Sequence, residues 1–237
     1  MKKTTVLIIL GVITVFCIIY GSVKHLGGGF KAMSEWSAEN GVYEDSKDRT
    51  SFNQNLEAFS AIEIDSSIAE IRIEEGNSFK IEGFYTGEFL QPTISVNNGK
   101  LDVRQQKKNS PHIMGGSYNC RILVTVPAGT KLEAVRINSN VGDLKIREIT
   151  AGAINLNMNV GEVSVRKATF DNIEVANNVG EISIEPIDNV DNYEISVSTN
   201  LGSVNVNGRN YKRSYTSKTS SRKTIKASTN IGEVRVR

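Results

Sequence analysis

The 237-residue sequence has little of what usually staples, ligates or catalyses. Its two cysteines are Cys17, within an apolar N-terminal run, and Cys120, alone. That spacing excludes a disulfide framework and a Cys-x-x-Cys metal or redox pair. The two histidines, His25 and His112, have no neighbours in sequence with which to build a Ser/His/Asp or Cys/His site. Prolines number four, and the one tryptophan, Trp36, lies far from the repeats described below, which leaves no indole platform for a sugar there. Charge of one sign is also missing. With 28 basic and 26 acidic residues the net charge is +2, which argues against a whole-chain nucleic-acid binder. The remaining composition, 39% hydrophobic and 23% charged, is that of a folding chain.

What is present is repetition. From Val135 to Arg237 one phrase recurs five times: Asn140-Val-Gly-Asp-Leu-Lys-Ile, Asn159-Val-Gly-Glu-Val-Ser-Val, Asn178-Val-Gly-Glu-Ile-Ser-Ile, Asn200-Leu-Gly-Ser-Val-Asn-Val and Asn230-Ile-Gly-Glu-Val-Arg-Val. The starts are 19, 19, 22 and 30 residues apart, within the range of stacked repeat architectures. Each phrase is preceded by an alternating pair such as Ile154/Leu156 and followed by another such as Val163/Val165, the mark of half-buried strands. The pattern predicts an all-β, β-solenoid or β-helix-like stack of roughly 19–30-residue repeats. Gly142, Gly161, Gly180, Gly202 and Gly232 are expected to supply positive φ or a tight corner. Asn140, Asn159, Asn178, Asn200 and Asn230 suit a left-handed turn or a ladder of amides. The acids after the glycine (Asp143, Glu162, Glu181, Glu233, with Ser203 as the exception) should form an exposed column neutralised by Lys145, Arg147, Arg166 and Arg235.

Lys2 and Lys3 precede Thr4–Val23, twenty residues without a charge. At about 1.5 Å per residue a helix of that length spans the ~30 Å hydrocarbon core, so residues 1–25 read as a transmembrane signal-anchor, with a cleaved signal as the rival. The basic start favours a cytoplasmic N-terminus and an extracytoplasmic repeat domain. Residues 26–55, opening with Gly27-Gly28-Gly29, read as a flexible linker, with Phe30, Met33 and Trp36 able to line a short interfacial helix. The domain is expected over 56–237 and its regular repeats over 135–237. Strands are expected at Leu56–Phe59, Ile62–Ile64, Phe79–Tyr85, Thr93–Val96, Leu101–Arg104 and Ile122–Val126, with a loop over 105–117. Ser66-Ser67-Ile68-Ala69-Glu70-Ile71-Arg72-Ile73 reads as a worn copy of the phrase.

Two places depart from the repeat. Asn207 to Thr224 carries Arg209, Lys212, Arg213, Lys218, Arg222 and Lys223 without an acid, and reads as a projecting loop able to meet anionic lipid headgroups or anionic wall polymers. The sequence stops one residue after Val236, so the last copy is expected to leave an open edge for self-association or an envelope partner. Asp188-Asn-Val-Asp191-Asn192 is oxygen-rich, but it lacks the spacing of a calcium loop and reads as a turn. No cofactor or metal is implied.

Val124-Thr-Val-Pro127, the opening strands of the Ile62-Glu-Ile64 kind, the anchor and the Val-Gly-Asp-Leu and Val-Gly-Glu-Val turns together resemble the bacterial putative-adhesin β-strand-repeat family, over roughly residues 56–237. The resemblance implies an extracytoplasmic domain of unknown function. Some relatives are membrane-anchored products of Gram-positive envelope-stress responses. The expected role is therefore a non-catalytic, membrane-anchored envelope protein that binds, adheres or scaffolds. The alternatives are a polysaccharide-acting enzyme using Glu162 and Glu181 from adjacent rungs, and a polymerising membrane-linked scaffold.

Overall fold

The computed structural model describes residues 49–105 and 119–237. The expected membrane segment Thr4–Val23, the linker as far as residue 48, His25, Trp36, His112 and the loop over 106–118 lie outside the described residues. Among the described residues no helix is long and apolar enough to cross a membrane. All of them fall within one of the chain's two units, Asp48–His112 with Asn119–Arg237.

This unit is all-β. The opening strands are β1 (Arg49–Asn55), β2 (Ala61–Ile68), β3 (Glu70–Gly76), β4 (Lys80–Thr86), β5 (Pro92–Asn97), β6 (Lys100–Gln105) and β7 (Cys120–Pro127). The repeats form β8 (Lys131–Val141), β9 (Leu144–Arg147), β10 (Thr150–Val160), β11 (Val163–Val179), β12 (Ile182–Pro186), β13 (Glu194–Leu201) and β14 (Val204–Val206). Then follow β15 (Arg209–Tyr211), β16 (Ser214–Ser217), β17 (Thr224–Ile231) and β18 (Val234–Val236).

Each copy makes one rung: a strand in one wall, a corner at Asn-x-Gly, and a strand in the other wall. Copies pair in parallel and in register, because a slip of one residue would turn every apolar side chain outward. Ile154 lies opposite both Val135 and Ile173, and Ile225 opposite both Ile173 and Ile195. In the other wall Val163 lies opposite Leu144 and Ile182, and Val234 opposite Ile182 and Val204. The core between the walls is these rows, with Ile154, Leu156, Val163, Val165, Ile182 and Ile184 all buried. Each such side chain contributes about 1.5–3 kcal/mol on burial. β11 runs unbroken from one wall into the other through Lys167, whose φ is 51°, and so joins the two into one curled 18-stranded sheet. The worn copy holds its place: Ile68 pairs with Val141 and Ile71 with Leu144.

The order of rungs departs from the order of copies. The last copy does not end the stack. β17 lies between β11 and β13, and β18 between β12 and β14, so the edge expected to be open is paired on both sides. The end of the stack is made instead by the basic segment, which is not a projecting loop: β15 pairs antiparallel with β14, and β16 antiparallel with β13. At the other end β4 pairs antiparallel with β7, β5 antiparallel with β6, and β6 and β7 pair in parallel with β2 and β3. Residues 49–55, read from sequence as linker, form β1 and pair with β4. Leu56–Phe59 is not a strand, although Phe59 is buried against the Phe79 ring at 4.8 Å.

Candidate functional site

The corner is where the repeat puts polar chemistry. Its glycines stand in the left-handed half of φ space, at 140° for Gly142, 141° for Gly161, 136° for Gly180, 144° for Gly232 and 151° for Gly202. A Cβ on Gly161 would meet the Gly142 carbonyl oxygen at 1.6 Å, so the rungs touch through their glycines. Beside them the asparagines form a continuous ladder in rung order. The Nδ2 of Asn159 donates to Oδ1 of Asn140 at 3.0 Å, Asn178 to Asn159 at 3.0 Å, Asn230 to Asn178 at 2.5 Å and Asn200 to Asn230 at 2.8 Å. Of the two alternatives the sequence left open for the asparagines, they take the ladder and not the left-handed turn; the positive φ belongs to the glycines, as expected.

Alongside this ladder runs an open groove of about 1060 Å³. Two residues back, Asn157 donates to Asn138 at 3.0 Å and Asn138 to Asp65 at 2.7 Å, a shorter second rail. The residues between the rails, Ser139, Met158, Asn177 and Thr229, turn their side chains to the opposite face of the strands and are buried. Asn177 donates to the Gly161 carbonyl at 2.8 Å, and its buried Oδ1 has no partner among the described residues. At the first end Gln105 closes the corner: its Oε1 accepts from the backbone N–H of Ser67 and Ile68, and its Nε2 donates to Ile68 O and Leu90 O. Asn138, Asn157 and Asn177 were missed in the sequence reading, although alignment of Asn138-Ser-Asn140 with Asn157-Met-Asn159 carries the signal for the second rail. Gln105 has no such signal, because its role depends on a strand far away in the chain.

The acid column is less exposed than its alternation suggests. Asp143 is 5% exposed, and burial, opposed by Lys145, holds its carboxyl above the usual range. Burial and then the Asp143 charge push Glu162 the same way. Glu70, in register with this column, is buried between Arg72 at 3.0 Å and Arg121 at 2.8 Å. Arg235 pairs with Glu181 at 2.9 Å and Glu233 at 3.0 Å, and Lys145 with Asp143 at 3.8 Å, whereas Arg147 turns to Glu148 at 3.6 Å. Glu162 and Glu181 thus do not form an isolated pair. Cys120 is buried and its thiol is pushed up to about 12 by that burial, which keeps it protonated at neutral pH.

The six basic residues divide. Arg209, Lys212, Arg213, Lys218 and Arg222 are exposed on and around β15 and β16, beside the half-buried Tyr211 and Tyr215 rings, 4.6 Å apart. Lys223 is half-buried and bonded at 2.5 Å to Asp188, which also accepts from the Tyr193 hydroxyl. It braces the 188–192 turn, where Asn189 accepts from the Asp191 N–H at 2.9 Å.

The fold is shared with a solved structure. A putative cell adhesion protein from Clostridium sporogenes superposes with a TM-score of 0.62 at 15% identity, covering 79% of this chain and 98% of that one. A putative adhesin from Bacteroides fragilis matches with a TM-score of 0.39 at 10% identity, over 83% of this chain and 100% of that one. A putative lipid binding protein from Parabacteroides distasonis gives 0.36 at 10% identity, over 68% and 71%. The first likeness is one of fold alone, and the other two are too distant to argue from. No curated protein matches the sequence. The Toastrack DUF4097 family matches residues 59–207, more than half of the sequence and most of the rungs just described, and the chain belongs to that family.

Proposed function

We propose that the chain is a non-catalytic protein of the cell envelope. It is held to the membrane through Thr4–Val23, carries its stacked rungs as a β-solenoid outside the cytoplasm, and binds anionic wall polymer through its far end. Service in an envelope-stress response, which the family resemblance implies, is compatible with that role. So is the name of the Clostridium sporogenes structure, a putative cell adhesion protein.

The observation that carries this reading is where the basic residues sit. Arg209 on β15, Lys212 and Arg213 in the turn to β16, and Lys218 and Arg222 in the segment after it are all exposed at the closing end of the stack, with no acid between Asn207 and Thr224 to offset them. β1, the first described strand, lies on the opposite edge of the same wall. That wall runs β1, β4, β7, β3, β9, β11, β12, β18, β14, β15, so nine strand spacings of about 4.8 Å separate β1 from β15, about 43 Å. A basic surface with no acid within its own segment suits an anionic polymer. Catalysis by Glu162 and Glu181 is disfavoured because Glu181 is already paired with Arg235.

The test is retention of the full-length chain, in nanodiscs of neutral lipid, on a phosphate-bearing wall polymer. Binding should weaken with salt. Reversing Lys212, Arg213, Lys218 and Arg222 to Glu should lower it at least tenfold, with Lys223 left in place because it holds Asp188. Undiminished retention of the reversed variant would dispose of the reading. Binding to anionic vesicles but not to polymer would move the partner to lipid.

A further inference from the structure

We propose that the groove beside the asparagine ladder binds a neutral, linear glycan laid parallel to the stack. This is a second site, separate from the basic cap, with a ligand of different chemistry.

Charge decides first. Among the residues lining the groove only Asp65 and Arg104 ionise, both at one end, and the Arg104 guanidinium there is shared among Asp102 at 2.7 Å, Glu63 at 3.5 Å and Asp65 at 4.0 Å. From Ser139 to Asn230 the lining offers neither a cation for phosphate or carboxylate nor a carboxylate for a metal. Met158 and Ala176 are its only apolar members, too little to anchor an acyl chain or an amphipathic helix.

Hydrogen-bonding capacity decides next. An asparagine amide has two N–H donors and two acceptor lone pairs. The ladder uses one N–H and one lone pair of Asn159, Asn178 and Asn230 on each side, leaving a donor and an acceptor at every rung. These recur at the strand spacing of about 4.8 Å. A hydroxyl, which also both donates and accepts, is the complement of such a row. An extended peptide advances about 3.3 Å per residue and falls out of step with the rungs within two or three of them. A sugar ring in an extended chain advances by roughly one rung. The six strands from β6 to β17 give the groove about 24 Å of length, room for about five sugars.

No aromatic ring lines the groove, so affinity has to accumulate along the chain, rung by rung. The probes are N-acetylglucosamine, chitobiose and chitohexaose with the full-length protein in neutral nanodiscs. Kd should fall at least fiftyfold from disaccharide to hexasaccharide. Asn159→Ala with Asn178→Ala should weaken the hexasaccharide at least tenfold. Because removing ladder amides can also loosen the stack, Ser228→Arg, which narrows the groove and leaves the ladder whole, should give a similar loss at unchanged Tm. Charge reversal of the cap should leave glycan binding unaltered. No measurable binding of the hexasaccharide, no gain with length, indifference to Ser228→Arg, or loss in the cap variant would each overturn the proposal. Glycan binding without polymer binding would sink only the reading of the cap, and the converse only this one.

Discussion

A methyl group on Gly161 would stand 1.6 Å from the Gly142 carbonyl oxygen, on a backbone with φ of 141°. Neither problem can relax alone, because the obstructing atom is backbone in the next rung and the corner is repeated above and below. Gly161→Ala should therefore cost more than about 4 kcal/mol in urea unfolding. Gly129 also has positive φ, 76°, but open space around it, and Gly129→Ala should cost only about 1–2 kcal/mol. Equal costs at the two sites would mean that conformation, and not contact between rungs, makes glycine necessary. Asp143 gives the complementary case of a side chain the fold would do better without. Burial raises its carboxyl above the ordinary 3.8, so the native state binds its proton more tightly than the unfolded chain does. Its contribution to stability is full below 3.8 and is lost as pH rises through the raised value. Asn keeps the acceptor for the Glu162 N–H and never ionises. Asp143→Asn should raise Tm at pH 7 by roughly 1–4 °C, with the gain shrinking as pH is lowered toward 3.8. Thermal melts across that range check both size and sign.

At the scale of the strand, alternation was a reliable guide wherever both walls cover the chain. Val135/Ile137, Ile154/Leu156 and Ile182/Ile184 face inward as their spacing requires, and even the worn copy at Ile68–Ile73 is legible, since Ile71 and Ile73 keep the period. Edges were harder to read. β1 is Arg-Thr-Ser-Phe-Asn-Gln-Asn, which lies on one side of a single partner and buries none of its side chains, so its sequence carries almost no periodic signal. β15 and β16 read as a loop for the same reason. Being short and polar, with basic residues in the flanking turn and segment, is what lets them end a stack without inviting another chain to continue it. Leu56–Phe59 erred the other way: two apolar residues suggested a strand, and one of them, Phe59, is an aromatic plug against Phe79. The ladder was legible as a possibility because its asparagines recur in every copy. The groove was not, because it needs Asp65, Gln105 and Thr229, brought together from β2, β6 and β17.

Over the whole stack both ends are closed by the same sequence of moves. Followed forward from β12, the chain passes over one place to lay β13 and β14, reverses as β15 and β16, then returns to fill the vacant place with β17 and β18. Followed backward from β8, it passes over one place to β7 and β6, reverses as β5 and β4, and fills the vacancy with β3 and β2. Nothing local in the sequence distinguishes a final copy from an inserted one, since all carry the same inward rows, and this is why the stack was read in chain order. The difference has a large energetic consequence. The last copy buries Ile225, Val234 and Val236, about 5–8 kcal/mol of apolar contact, which is comparable with the whole net stability of a domain. In a stack laid down in chain order, deleting residues 222–237 would strip one terminal rung and leave its neighbour folded. Here the deletion empties a place between β11–β12 and β13–β14. Amides of Glu194–Leu201 should then lose protection from hydrogen exchange while those of Thr150–Val160 keep theirs, and Tm should drop by more than about 10 °C. A synthetic peptide of residues 222–237 should restore both, because the vacant place offers strand edges on either side in the register that β17 already adopts. Retained protection of Glu194–Leu201 in the truncated chain, with no response to the peptide, would mean that the outer copy can close onto β11 and β12 by itself, and that the inserted order of rungs is not what holds this end together.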